Sequence, residues 1–231
     1  MDRINVRSKN AINISRNPVE RVLMRIKDFF QKRKTLVKYL IIGIPAAIVI
    51  AVAVFIFFDK RGNKLLVRYE AIMDEYGNTA PDDSAKIAGI IEKLTELKSD
   101  ALFGHVYENA LWSLGNLCFD QGRFDEAYKI FAEFAGDTSS DIYASIALLK
   151  AGSAAEEEGS LDKALDIYKK LEKEYAGGVC ADNIFYSLAR TYNLKGDFSQ
   201  AGKYYNIVIT DYPNSIFAES ARKRLFWVKR P

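Results

Sequence analysis

LWSLGNLCFDQGRFDEAYKIF (111–131), LLKAGSAAEEEGSLDKALDIY (148–168) and FYSLARTYNLKGDFSQAGKYY (185–205) are three copies of one pattern, set 37 residues apart twice over. In each, a small residue (Gly115, Gly152, Ala189) is followed seven positions later by Gly (Gly122, Gly159, Gly196). Ala comes five later (Ala127, Ala164, Ala201), and an aromatic four after that (Phe131, Tyr168, Tyr205). Each position has a mechanical reason. The small residue lets two helices of one unit approach closely, Gly permits the tight turn between them, Ala sits at the crossing, and the aromatic fills the gap to the next unit. A lone helical hairpin cannot bury its apolar face, so a repeat of this length predicts an all-α stack in which each unit covers its neighbour.

The pattern resembles the tetratricopeptide repeat, whose signature is W-x-x-L-G-x-x-Y, then G-x-(Y/F)-x-x-A-x-x-x-(Y/F), then P. The first copy matches at Leu111, Leu114, Gly115, Cys118, Gly122, Phe124, Ala127 and Phe131. The third matches at Phe185, Leu188, Ala189, Tyr192, Gly196, Phe198, Ala201, Tyr205 and Pro213. The second has Ala155 and Leu161 where aromatics are usual. The expected architecture is an α-solenoid of about three to four helix pairs over 59–231. It comprises a degenerate leading unit (63–107, with a helix start at Pro81-Asp82-Asp83), repeats over 108–144, 145–181 and 182–214, and a capping helix over 215–229. The residues beyond the usual repeat length fall between units, in AGDTSSD, YAGGVCAD and DYPNS, and longer periods ending in Y-P-N-S are similar to bacterial envelope repeat proteins. Within the cap, Lys223, Arg224, Lys229 and Arg230 read as a solvated face that complements the helix dipole.

Ahead of the repeats, LIIGIPAAIVIAVAVFIFF (40–58) contains no charge. As a helix it spans about 28 Å, the thickness of a bilayer's hydrocarbon core. Asp, Lys or Arg would each cost about 3 kcal/mol at its centre, and none occurs before Asp59-Lys60-Arg61 closes the run. The run reads as a single-pass transmembrane helix over 39–58; a core helix of a soluble domain would be shorter and carry a polar face. Residues 1–38 hold eleven Lys or Arg against three acids, and seven of these cations lie in 19–38 against four in 59–78, which predicts a cytoplasmic N-terminus and an external repeat domain. Cleavage after Ala51-Val52-Ala53 is the competing reading, but its basic region would be too long for a signal peptide. No lipobox-type Cys follows the run. Asn17-Pro18-Val19-Glu20 reads as a helix start, after which Val19, Val22, Leu23, Ile26 and Phe30 recur at helical spacing among basic residues. Such a helix lies in the headgroup layer, so residues 18–58 are expected to contact lipid. Nucleic acid is not an expected partner, because the aromatics sit on the apolar face instead of interleaving with the charges. Residues 1–16 read as a flexible tail, and the Asn13-Ile14-Ser15 sequon as an accident of a cytoplasmic arm.

A basic arm, an amphipathic run at Ile26-Lys27-Asp28-Phe29-Phe30, one span and an external helical-repeat domain together resemble the ancillary subunit family of the SecYEG translocon. The resemblance implies a bacterial inner-membrane protein working beside the translocon and periplasmic chaperones or their clients. The cell-division coordinator and the outer-membrane assembly lipoprotein share the Y-P-N-S repeats without such an anchor, and keep an envelope-assembly or cell-division scaffold open as the alternative.

Residues that carry chemistry are sparse. His105 stands apart from any Ser, Cys or carboxylate motif. Glu156, Glu157 and Glu158 read as a solvated helix end, since neighbouring helical residues diverge by about 100° and cannot converge on one ion. No phosphate loop, G-x-S-x-G or H-E-x-x-H occurs. No cofactor, metal or catalytic residue is therefore assigned, and a subunit of a membrane enzyme complex is the weaker class. Cys118 occupies an inward repeat position; Cys180 lies about two repeats away in stacking order, too far to bridge to it.

What remains is binding surface. In tetratricopeptide repeats the first helix of each unit lines a concave groove through its second, fifth, ninth and twelfth positions. Carried over, these include Trp112, Asn116 and Phe119 in the first copy, Leu149 in the second, and Tyr186, Arg190 and Asn193 in the third. The aromatics among them are the expected anchors for a protein partner. The chaperone-tail clamp of some relatives needs Lys or Arg where this chain has Trp112, and is not expected. In the span, Gly43, Ala47 and Ala51 recur every four residues and form a strip where another transmembrane helix, including one from a second copy, could approach closely. The orientation has a direct check: an enzyme reporter fused after Pro231 that is active only outside the cytoplasm should be active, and one active only inside should be silent.

Overall fold

Three glycines set the fold's rhythm. Gly122, Gly159 and Gly196 have φ of 72°, 86° and 80°, the left-handed region that a side chain disfavours. At each, the residue after the glycine donates its N–H to a carbonyl five residues back: Arg123 to Cys118 (2.8 Å), Ser160 to Ala155 (2.8 Å) and Asp197 to Tyr192 (2.9 Å). Each glycine's own N–H donates to Phe119, Glu156 or Asn193 respectively. The last carbonyls of the preceding helix are thereby satisfied and the chain reverses, three times over with one geometry.

The structure, a computed structural model, describes residues 18–228. The tail, the Asn13 sequon, the Asn17 cap and the basic residues Lys229 and Arg230 lie outside the described residues. Ten helices form, with no strand among the described residues: α1 (Pro18–Lys32), α2 (Lys34–Gly77), α3 (Ser84–Ala101), α4 (His105–Asp120), α5 (Phe124–Asp137), α6 (Asp141–Glu157), α7 (Leu161–Tyr175), α8 (Ala181–Leu194), α9 (Phe198–Asp211) and α10 (Ala218–Val228). The chain divides into two units, residues 1–60 and 61–231.

In the first unit, α1 displays Val19, Val22, Leu23, Ile26 and Phe30 to the exterior, and all are about half exposed. The apolar run lies in α2 with Ile41, Ile50 and Phe55 each more than 60% exposed. Among the described residues this is the one helix long and apolar enough to cross a membrane, and none of its apolar window is buried. A core helix of a soluble domain would be buried there. Gly43 has open space where a Cβ would stand, with no described residue within 4 Å at that position of the small-residue strip. The helix does not stop at Phe58 as the sequence reading has it. Asp59 to Gly62 continue α2 to Gly77, because a single glycine among good helix formers weakens a helix without ending it.

In the second unit, successive helices pack against one another in chain order, α3 on α4 through α9 on α10. The part of α2 from Arg61 onward pairs with α3 through Leu65, Ile72, Ile87, Ile90 and Leu94, and through Lys93 to Glu75 (2.6 Å). Asp83 caps α3, accepting from the Lys86 N–H at 3.1 Å, as the Pro81-Asp82-Asp83 start predicts. The result is four helix pairs and a closing helix, with even-numbered helices forming one row and odd-numbered helices the other. Two large buried clusters run through it, one from α2 to α6 and one from α6 to α10.

The pairs depend on a close contact. A Cβ built on Gly152 of α6 would stand 2.4 Å from the Tyr168 ring of α7, and one on Gly115 of α4 2.8 Å from the Phe131 ring of α5. Phe131, Tyr168 and Tyr205 are fully buried. The aromatic therefore packs back onto the small residue of its own unit, where the sequence reading has it filling the gap to the next. The reason is geometric: the turn brings positions sixteen residues apart face to face before any neighbour arrives. Ala127, Ala164 and Ala201 are each wholly buried at the crossings.

Two glycine substitutions should move stability in opposite directions. Gly152→Ala drives a methyl into Tyr168 and should cost about 1–3 kcal/mol. Gly89→Ala, inside α3 with nothing within 4 Å of the new Cβ, should stabilise by about 0.5–1 kcal/mol. Circular-dichroism melts of the full chain in detergent measure both.

Candidate functional site

Side-chain hydrogen bonds tie the even-numbered helices into a row. Tyr69 of α2 shares one with Ser113 of α4 (2.9 Å), Lys150 of α6 donates to Asn116 Oδ1 of α4 (3.2 Å), Arg190 and Thr191 of α8 donate to Glu156 of α6, and Arg224 of α10 donates to Tyr186 Oη of α8 (3.1 Å). The odd-numbered row has its own ties, Lys98 to Glu133 (2.7 Å), Lys163 to Asp125 (3.6 Å) and Tyr204 to Glu172 (3.0 Å). Because both rows are laced across unit boundaries, the face of the even row presents side chains from α4, α6 and α8 at a set spacing.

The residues expected to line that face divide into two groups. Asn116, Phe119, Arg190 and Asn193 are half-buried and keep part of their surface accessible. Asn116 is held at both ends, its Nδ2 donating to the Trp112 carbonyl (2.8 Å) and its Oδ1 accepting from Lys150. Phe119 meets Phe124 edge-on at 5.3 Å, with the Lys150 ammonium 5.9 Å from its ring. Trp112 is also half-buried, but its ring sits between Phe131 (5.7 Å) and Phe134 (5.5 Å) of α5, so it serves packing as well as surface.

Leu149 and Tyr186 are buried and leave little surface on that face. In α6 the small residues Ala144, Ala147, Ala151, Gly152, Ala154 and Ala155 let neighbours pack on more than one side, so the accessible register moves one position from Leu149 to Lys150. In α8, the segment leading into α10 covers Tyr186: Phe217 stacks on its ring at 5.0 Å and Arg224 donates to its hydroxyl. Arg224 is exposed, as the sequence reading of a solvated face has it, and from that face its side chain also reaches the Tyr186 hydroxyl. Lys223 fits that reading as well, pairing at the surface with Glu219 (2.6 Å).

The acidic run also divides. Glu157 and Glu158 are exposed, as a solvated helix end should be, but the Glu156 side chain is 3% exposed and sits among Arg190, Thr191 and Tyr168. A buried carboxylate needs such partners to offset its lost hydration. Burial, with the Glu156 charge beside it, pushes the Tyr168 phenol above its ordinary pKa. Nothing in the run of three glutamates singles out the first; the signal lies 34 residues later, in Arg190-Thr191 one unit along. His105, fully exposed at the start of α4, comes no nearer than 4.0 Å to Glu108. Among the described residues no group of three His, Cys, Asp or Glu side chains is placed to hold a metal ion. Cys118 is buried, and burial raises its thiol pKa; Cys180 is partly exposed.

Residues 146–177 and 184–215 match the family described as Tetratricopeptide repeat. They take in α7 and α9 with most of α6 and α8, the second and third copies of the pattern. The first copy, α4 and α5, lies outside the matched residues, yet its turn carries the same hydrogen bonds and its small residue the same ring contact as the matched pair α6–α7. A comparison with curated proteins finds no match to the chain.

Removing one partner of the Glu156 network leaves the other unpaired. Glu156→Leu should destabilise by about 1–3 kcal/mol, less than a fully buried pair because the Arg190 side chain is 31% exposed. Adding Arg190→Leu to Glu156→Leu should recover much of that loss. Melts of the single and double variants give the coupling energy.

Proposed function

We propose that the chain is a membrane-anchored scaffold that holds a protein partner on the accessible face of α4, α6 and α8. The observation that carries this reading is a solenoid of tetratricopeptide repeats whose even-helix row stays laced in register while leaving polar and aromatic surface open. Stacked helical repeats create extended binding surfaces of this kind and mediate protein–protein interaction. The contact residues are Asn116, Phe119, Arg190 and Asn193 with Lys150, whose ammonium is held by an amide oxygen and a ring face. Trp112 borders them.

The apolar run of α2 anchors the protein in a bacterial cytoplasmic membrane with residues 1–38 inside and the repeats outside. The basic imbalance supports the orientation, and the exposed apolar face of α1 supports contact with the inner leaflet. In that location the partner is a component of the secretion machinery, a periplasmic chaperone or its client; an envelope-assembly or cell-division complex is the alternative set.

A photoreactive residue in place of Asn193 should crosslink a specific protein in intact membranes, and mass spectrometry of the adduct distinguishes those sets. Phe119→Ala combined with Lys150→Ala should lower capture of that protein about tenfold or more, with the helical content unchanged. Full capture by the folded double variant would move the binding surface elsewhere.

A further inference from the structure

At the interfaces between neighbouring even-numbered helices, two sets of equivalent positions meet and change character from one interface to the next. Asn116, Ser153 and Arg190 form one set and Lys150, Ser187 and Arg224 the other, each set spaced 37 residues apart like the repeat pattern itself. Between α4 and α6 an ammonium meets an amide, Lys150 donating to Asn116 Oδ1 at 3.2 Å. Between α6 and α8 two hydroxyls meet at a third: Ser153 Oγ lies 3.4 Å from Tyr168 Oη, with Ser187 beside it. Between α8 and α10 two guanidiniums meet, Arg190 and Arg224, both beside the Tyr205 hydroxyl. Like charges that meet across an interface repel, and this pair is incompletely compensated. Arg190 Nη2 pairs with Glu156, but its Nε is buried without a hydrogen-bond partner among the described residues. Arg224 donates from Nε to Tyr186, and no carboxylate pairs with it among the described residues. Tyr205 is wholly buried, and its hydroxyl also has no hydrogen-bond partner among the described residues. A buried hydroxyl left that way costs stability.

The α6–α8 interface shows what completes such a set. There Tyr168, the equivalent of Tyr205, donates to the Glu156 carboxylate at 3.4 Å, and Arg190 and Thr191 donate to the same carboxylate. The equivalent of Glu156 one unit along is Asn193, so the α8–α10 interface has the phenol and the guanidiniums without the carboxylate. We infer that the Arg190–Arg224 pair receives a carboxylate from the partner protein, an Asp or Glu side chain seated between the guanidiniums beside the Tyr205 hydroxyl. The inference rests on the scaffold reading and names the chemistry that the partner presents. Arg224 is exposed and the Arg190 side chain is 31% exposed, so an incoming group reaches both. A guanidinium presents paired N–H donors that match the two oxygens of a carboxylate. Its single negative charge balances the one positive charge that Arg190, Arg224 and Glu156 leave in excess.

Fluorescence anisotropy of a labelled hexaglutamate peptide, titrated with the full-length protein in detergent at low ionic strength, tests the site. Arg224→Gln should weaken binding about tenfold or more. Lys223→Gln removes the same charge from the same helix, at a surface ion pair, and should change binding less than about twofold. Equal losses in the two variants would mean attraction to net charge alone and overturn the inference. Asn193→Glu supplies from within the carboxylate that the α6–α8 interface already has. It should raise the melting temperature of the free protein by about 2–4 °C and weaken the peptide about tenfold. A lower melting temperature with peptide binding intact overturns the inference as well. For the protein identified by crosslinking from position 193 in membranes, Arg224→Gln should lower capture by the same factor as it lowers peptide binding. Unchanged capture overturns the inference and leaves the scaffold standing, whereas peptide binding with no protein crosslinked in membranes overturns the scaffold reading and, with it, the partner as source of the carboxylate.

Discussion

The approach of two helices at a small residue, glycine in the first two copies and Ala189 in the third, determines how the repeat pairs are built. With no Cβ at Gly152, the Tyr168 ring lies against the α6 backbone, and the hydrogen bonds around Gly159 hold the two helices at the angle this contact requires. The same pairing recurs at Gly115 and Phe131. Each closed pair then offers one face to the next, and the buried crossing alanines keep that interface thin. The rest of the solenoid, including the spacing of the accessible side chains, follows from repeating this contact.

Polar lacing adds what apolar packing does not specify. Leucine and alanine surfaces tolerate sliding, whereas Glu156 facing Arg190 and Thr191 accepts one register between the second and third units. Burying a carboxylate at that position adds little net stability, since desolvation cancels much of the attraction. Its effect is on alignment, and the spacing of side chains across three successive helices depends on alignment. The Lys150 bridge to Asn116 does the same between the first and second units at a more accessible depth.

The C-terminal helix shows how one repeat position changes its role with context. Tyr186, which the repeat pattern leads one to expect on a groove, lies under Phe217, and its hydroxyl accepts from Arg224. Phe217 and α10 take aromatic surface of α8 out of solvent that would otherwise be exposed. The accessible face is therefore concentrated toward α4 and α6, with Arg190 and Asn193 at its far end.

Periodicity along the chain determined the helical architecture, the three turns, the Asp83 cap and the apolar helix, because each of these depends on residues within a few positions of one another. Left-handed glycines need no neighbour from another unit, and an apolar run of nineteen residues declares itself by length. The apolar helix's continuation through Asp59 to Gly62 was not legible, since a charged, glycine-containing segment marks the end of an apolar region without marking the end of a helix. Only the tertiary structure decided which face each helix turned outward. In α6, small residues on several sides left no apolar stripe to read, so Lys150 rather than Leu149 reached the surface. Glu156 was likewise decided by tertiary packing: three adjacent glutamates are alike in sequence, and only the arrival of Arg190 and Thr191 from the next unit made it favourable to bury the first.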